Sequence, residues 1–377
     1  MDMRVLVSAV PADGHIVPLL DLARAVQLAG HEVRFATNLE RRRLVAAAGL
    51  HPLEAGMSSV QMRAERRRRW PETGRQPASE WATRMWAQIM GPSTLRDLLA
   101  IMADWRPHVV VHDEGDYAGP VAAARAGIPW VTHAWGSPLR PVSELTELEE
   151  LASSLWMSNG LDVPAFAGLY QHALVNPCPR FLQNDSPGAG IEWPIRPATF
   201  DDGGELLRAD AYVGFGTVPA FANALAELTA AVRSCTERGM RVVVTAPSED
   251  LRDELAAIDS RLVQARDFVR LSALLPSCKI AITHAGAGTV LASLSAGVPL
   301  VLLPRGAPSQ LRMAQACETA GVGRSCVGEG EIDAAVSDVL SNAAIAAKAE
   351  AGARQIATMP TGAKVARKVE ALVRPLC

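Results

Sequence analysis

Residues 3–10, MRVLVSAV, are apolar with no alternation, the pattern of a strand covered on both faces of a parallel sheet. Residues 18–29 space their leucines and alanines at helical intervals, Gly30 closes the run, and 31–37 return to a strand pattern, so the chain opens β-α-β. Such a unit predicts a parallel sheet with right-handed crossovers. The alternation continues as helix 95–105, strand 108–112, helix 119–126, strand 129–134 and helix 141–157. It lapses over 177–206, where Pro, Gly and Asp displace the periodic apolar positions and mark a linker. It restarts with strand 211–215, helix 221–238 and strands 241–245 and 261–265, and it ends in helices 311–320, 331–340 and a tail broken at Pro360. The pattern predicts an α/β fold of two Rossmann-like halves, each on its own open sheet.

Two stretches break the rhythm. From 57 to 92, Arg63, Arg66, Arg67, Arg68, Arg69, Arg75 and Arg84 sit among Trp70, Trp81 and Trp86 without a clean helical stripe, which reads either as a solvated helix face or as a mobile insertion lining a cleft. Residues 280–310, IAITHAGAGTVLASLSAGVPLVLLPRGAPSQ, read strand, turn, helix, strand. Gly286 and Gly288 are expected to supply the bend and a close approach to a ligand, and the amides of Ala287, Gly288 and Thr289 to stand unpaired at the helix start. Such a terminus binds anions, and His284 and Thr289 add donors for a diphosphate; the alternative is a turn whose glycines serve only packing.

Composition narrows the class. Hydrophobic residues are 49% against 20% charged, with 29 Gly and 25 Pro, a globular balance with ample material for two cores. The net charge of -3 argues against a nucleic-acid partner, which calls for a basic face. Cys178, Cys235, Cys278, Cys317, Cys326 and Cys377 are scattered, as reduced thiols would be in a cytoplasmic protein. No basic leader precedes the first strand and no apolar run approaches a membrane span, so neither secretion nor stable membrane insertion is expected. A dinucleotide fingerprint fails because Leu291 stands where the third glycine would be, a G-K-[ST] phosphate loop is absent, and no Asp-x-Asp pair invites a metal.

Gly14-His15-x-x-Pro18, Asp113 in V-x-H-D, F-V-x-L-x-A-L-L from Phe268, H-A-G-A-G-T from His284 and the following A-G-V-P-x-x-L-x-P resemble the GT-B glycosyltransferases, and within them the actinomycete enzymes that place deoxysugars on macrolides, enediynes and other polyketide-like scaffolds. The resemblance runs nearly the whole chain. It implies two domains facing a central cleft: 1–195 for the acceptor, 196–359 for a nucleoside-diphosphate sugar, and a helix over about 360–377 packing back on the first. It also implies an inverting, metal-independent transfer from a donor such as a dTDP-sugar to a polyketide-like acceptor, with no further cofactor and a possible homodimer.

Residue by residue, the resemblance makes His15 the base and Asp113 the group that orients it. Thr217, His284, Gly286, Ala287, Gly288 and Thr289 fall at the diphosphate, and Phe268 and Val269 at the nucleobase. Ser309 and Gln310 fall at the sugar. Arg270 stands where many relatives have proline, which weakens the case for thymidine over other bases. Ser309 replaces an aspartate, and losing a charged acceptor removes about 1.5–3 kcal/mol from recognition of a sugar hydroxyl. A donor with a hydroxyl pattern unlike glucose is therefore expected. Two other readings fit the same motifs: a GT-B transferase with a lipid acceptor, and a non-catalytic relative that binds nucleotide.

Overall fold

The valine-rich blocks become strands of two parallel sheets in the computed structural model, which describes residues 2–72, 83–183, 191–198, 207–216 and 224–373. The first half runs β1 (Arg4–Ser8), α1 (Asp13–Leu28), β2 (Glu32–Thr37), α2 (Arg42–Ala47), β3 (His51–Glu54), α3 (Ser59–Arg69), α4 (Gly91–Trp105), β4 (Val109–Asp113), α5 (Ala118–Ala126), β5 (Trp130–His133), α6 (Val142–Met157), β6 (Leu174–Asn176) and β7 (Glu192–Pro194). The second runs β8 (Ala211–Gly214), α7 (Leu225–Thr236), β9 (Val242–Thr245), α8 (Glu249–Ala256), β10 (Val263–Arg266), α9 (Leu271–Leu274), β11 (Ile280–Thr283), α10 (Ala287–Ser295), β12 (Leu300–Leu302), α11 (Pro308–Ala320), β13 (Gly323–Ser325), α12 (Ile332–Ser341), α13 (Ala343–Thr358) and α14 (Gly362–Val373).

The sheets have the orders β3-β2-β1-β4-β5-β6-β7 and β10-β9-β8-β11-β12-β13. Each reverses its direction of travel between its first and fourth strands, and the crevice outside the carboxyl ends there is the ligand site of open α/β sheets. In the first sheet Val5, Val7 and Val111 face α1 and α14, while Leu6 and Val110 face α4 and α5, which is why these strands carry no polar alternation. Among the described residues no helix is long and apolar enough to cross a membrane.

Several elements differ from the expected ones. β6, β7 and β13 have three residues each, too short to show a period, and β6 and β7 widen the first sheet as far as Pro194. α1 starts at Asp13 and runs through Pro18, so His15 rides its first turn instead of a loop. The proline is tolerated because its missing N–H spares only the carbonyl of Gly14, an exposed residue. Of the Arg/Trp-rich stretch, 59–69 is a solvated helix: a capping box links Ser58 and Gln61, no residue of α3 is buried, and Glu65 accepts from Arg68 and Arg69. Trp70, Met85, Ile89 and Met90 form a small core beside it, and a π-helical turn over Trp86–Met90 leads into α4. Arg75 and Trp81 lie outside the described residues.

Candidate functional site

His15 and Asp113 come from adjacent strand ends of the first sheet's crevice. The His15 Nδ1 lies 2.9 Å from Oδ1 and 3.0 Å from Oδ2 of Asp113. An ionised carboxylate only accepts, so Nδ1 carries a proton, and in the neutral ring the lone pair is on Nε2. Asp113 is wholly buried and also accepts from the Val10 N–H at 3.4 Å. A methyl group on Gly115 would sit 3.1 Å from both Asp113 Oδ2 and the His15 ring, so this glycine is a matter of space.

Two tryptophans wall the imidazole: Trp86 from the π-helical turn and Trp135 just past β5, with ring centroids 4.7 and 4.5 Å from His15. Behind Trp135, Arg140 stands over its ring at 5.0 Å and donates from Nε to Glu114 Oε1 at 3.2 Å. The Tyr170 hydroxyl donates to the same oxygen at 3.0 Å. The surroundings disfavour charge that lacks a partner. Burial pulls His112 and His133 down to about 4 and pushes Asp116 up to about 6.

The second sheet's crevice holds the diphosphate-like turn, with a different division of labour from the expected one. The left-handed residue is Ala285, at φ 62°, whereas Gly286 has φ -67° and serves as N-cap of α10 without a side-chain bond. Gly286 is needed for another reason. A methyl there would lie 2.5 Å from His284 Nε2, and one on Gly216 (φ +79°) 2.7 Å from the ring's Cε1, so the imidazole is seated between two glycine backbones. Gly288 is exposed, and a methyl group there would have nothing within 4 Å, so the first turn of α10, whose leading amides have no partner within the helix, is open there. His284 bonds to the Gly214 backbone; burial, reinforced by Arg305, pulls it down to about 4, so it stays neutral at pH 7.

The remaining predicted residues are dispersed. Phe268 is 58% exposed, a free ring face at the end of β10 and no core phenylalanine, while Val269 is buried in the second half's core. Gln310 is buried, and its Oε1 accepts from the Arg305 N–H at 2.7 Å, which fixes the amide's orientation. Ser309 offers its carbonyl to the Ser137 hydroxyl at 3.2 Å across the cleft. Thr217 lies outside the described residues. Among the described residues no group of three His, Cys, Asp or Glu is arranged to hold a metal ion. His108 and His112, four apart in sequence, run along a strand, and their Nδ1 atoms bond to the Arg4 N–H and to the Asp113 and Asp116 carbonyls. Sequence reasoning missed Gly115, Trp135, Arg140 and Ala285. An aromatic residue directly after a strand at the ligand edge was the one readable signal, at Trp135.

Comparison with known proteins fits this geometry. The N-terminal domain of the family "Erythromycin biosynthesis protein CIII-like" matches residues 24–164, and its C-terminal domain matches 231–372. The L-demethylnoviosyl transferase of Streptomyces niveus is 28% identical over 80% of this chain and 79% of its own length. The elloramycin glycosyltransferase ElmGT of Streptomyces olivaceus is 28% identical over 97% of each. The crystal structure of the glycosyltransferase SsfS6 from Streptomyces sp. SF2575, complexed with thymidine diphosphate, superposes with a TM-score of 0.74 at 26% identity, covering 98% of this chain and 99% of that one.

Proposed function

This chain belongs to the erythromycin biosynthesis protein CIII-like family and is a GT-B glycosyltransferase, and from that premise we propose that it moves a deoxysugar from thymidine diphosphate to a hydroxyl of a polyketide-like molecule, with inversion and without a metal ion. The observation that carries the reading is the pairing of His15 Nδ1 with both oxygens of Asp113, opposite a helix start with open amides. His15 Nε2 takes the proton of the acceptor hydroxyl as that oxygen bonds to the anomeric carbon. The bond from that carbon to the phosphate oxygen breaks and its electron pair leaves with the diphosphate. Asp113 stabilises the imidazolium and fixes its tautomer. The α10 amides and the neutral His284 receive the charge that builds on the departing phosphate. One displacement inverts the anomeric centre.

The donor preference rests on Ser309 in place of a carboxylate. Calorimetric titration with dTDP, UDP and NADH, with and without EDTA, tests the donor half. Selective, EDTA-insensitive dTDP binding is expected, and binding of NADH alone would end the reading. Incubation with dTDP-deoxysugars and polyketide aglycones, with NMR of the product's anomeric coupling, tests the transfer: an inverted configuration is expected, and equal turnover with dTDP-glucose would remove the deoxysugar preference.

A further inference from the structure

The loop between β5 and α6 touches both halves of the site. Trp135 lies against His15, and Arg140 fixes that ring from behind through Glu114, the residue next to Asp113. The next residue, Gly136, has φ +102°, and a methyl group on it would lie 2.5 Å from Leu291 Cδ1, 3.5 Å from Pro177 Cγ and 3.8 Å from Ala287 Cβ. Leu291 and Ala287 belong to α10, the helix whose first turn is the anion site. The Ser137 hydroxyl, in a buried residue, donates to the Ser309 carbonyl, and Arg312 of α11 pairs with Glu144 of α6, again from one half to the other.

We propose that Leu291 seated in the notch at Gly136, together with the Ser137–Ser309 hydrogen bond, sets the spacing between donor helix and base; Gly136, Ser137 and Leu291 are positioning residues that touch neither substrate. The proposal rests on the reading of His15 as base and of α10 as donor site. Its physical content is threefold. Leu291 is 3% exposed, so the apolar contact is sealed from water and is lost if the halves part. A glycine with positive φ is the residue that permits both the backbone conformation and the notch. Trp135, covalently next to the notch and in contact with His15, passes the position of the donor half to the base. The leucine that breaks the dinucleotide fingerprint thereby gains a role.

The experiment compares wild type with Leu291→Ala, Leu291→Met, Ser137→Ala and the Ser137→Ala/Leu291→Ala double variant. For each it measures kcat, KM, dTDP affinity by calorimetry and the radius of gyration with dTDP by small-angle X-ray scattering. A displacement near 1 Å costs roughly 100-fold in rate, so the double variant is expected to lose about 10- to 100-fold in kcat while dTDP affinity stays within about twofold. It is also expected to scatter as a more open molecule than wild type with dTDP. Leu291→Met, which keeps a long apolar side chain, restores most of the rate, and Ser137→Ala, which removes one hydroxyl and leaves the core intact, shows a smaller loss in the same direction. Unchanged kcat in the double variant, a loss explained wholly by dTDP affinity, or no rescue by methionine overturns the proposal. His15→Ala separates it from the function reading: that variant is expected to lose turnover and stay compact with dTDP. If His15→Ala keeps its turnover the base assignment falls, and scattering by the double variant then decides the notch alone.

Discussion

His15 and His284 each stand beside the point where their own sheet reverses direction, His15 in the helix after the first strand of its sheet and His284 directly after the fourth strand of the other, and they are held in opposite ways. His15 has a buried carboxylate on one nitrogen, so a proton arriving on the other finds its counter-charge in place. His284 is clasped by Gly216 and Gly286 and bonded to backbone, so burial keeps it neutral. One imidazole is thus set up to take a proton and the other to stay a fixed hydrogen-bond group. The partner decides which: a carboxylate at the end of β4, or glycine backbone at the end of β8.

The largest break in this contrast comes from the base side. His15→Ala is expected to lower kcat by about 10²–10⁴ and Asp113→Asn by about 10², with dTDP affinity unchanged in calorimetry. Loss of dTDP binding in either variant would mean that the two halves are not separate in function. Gly286→Ala does the converse. Its methyl group must displace the His284 ring or the turn, and an overpacking cost of about 1–3 kcal/mol predicts about 5- to 150-fold weaker dTDP binding if it falls on the bound form, read by the same titration. Gly115→Ala presses at 3.1 Å on His15 and Asp113, so a several-fold fall in kcat with unaltered dTDP binding is expected from steady-state kinetics.

The smallest effect is on stability against pH. The native pKa of His284, His112 and His133 lies near 4, below that of an unfolded histidine, so between about pH 6.5 and 4 the unfolded chain binds protons that the native protein refuses. Stability therefore falls on acidification through that window, by up to about 1.4 kcal/mol per pH unit for each ring. Asp116, raised to about 6, has the opposite sign: its native form takes a proton first, which adds stability as pH falls from about 6 to 4. Three rings against one carboxyl predict a net loss, visible as a lower melting temperature at pH 5.5 than at pH 7.5. An unchanged melting temperature would mean that these rings titrate normally.

The sequence revealed the two sheets because their strands are apolar runs between amphipathic helices, and it exposed His15, Asp113 and the His284 turn because short motifs carry them. It did not reveal how the parts work. Gly286 announces itself as a bend, yet Ala285 makes the bend and Gly286 makes room for a ring, a distinction that only a neighbour's position can draw. Trp135 touches His15, and Arg140 touches Trp135, through contacts that obey no spacing, and the three-residue strands leave no period to read.

The chain crosses between the halves twice, and the two crossings run side by side: the Arg196 N–H donates to the Pro360 carbonyl at 2.7 Å. After the second crossing α14 docks on α1, where Val365 and Val369 join its core and Glu370 pairs with His31 at 3.0 Å. The last helix is thus the buttress of the helix that carries His15. Recombining the two halves between relatives accordingly needs two junctions, one near 196 and one near 360. A chimera spliced only at the first would inherit a foreign buttress behind its own His15.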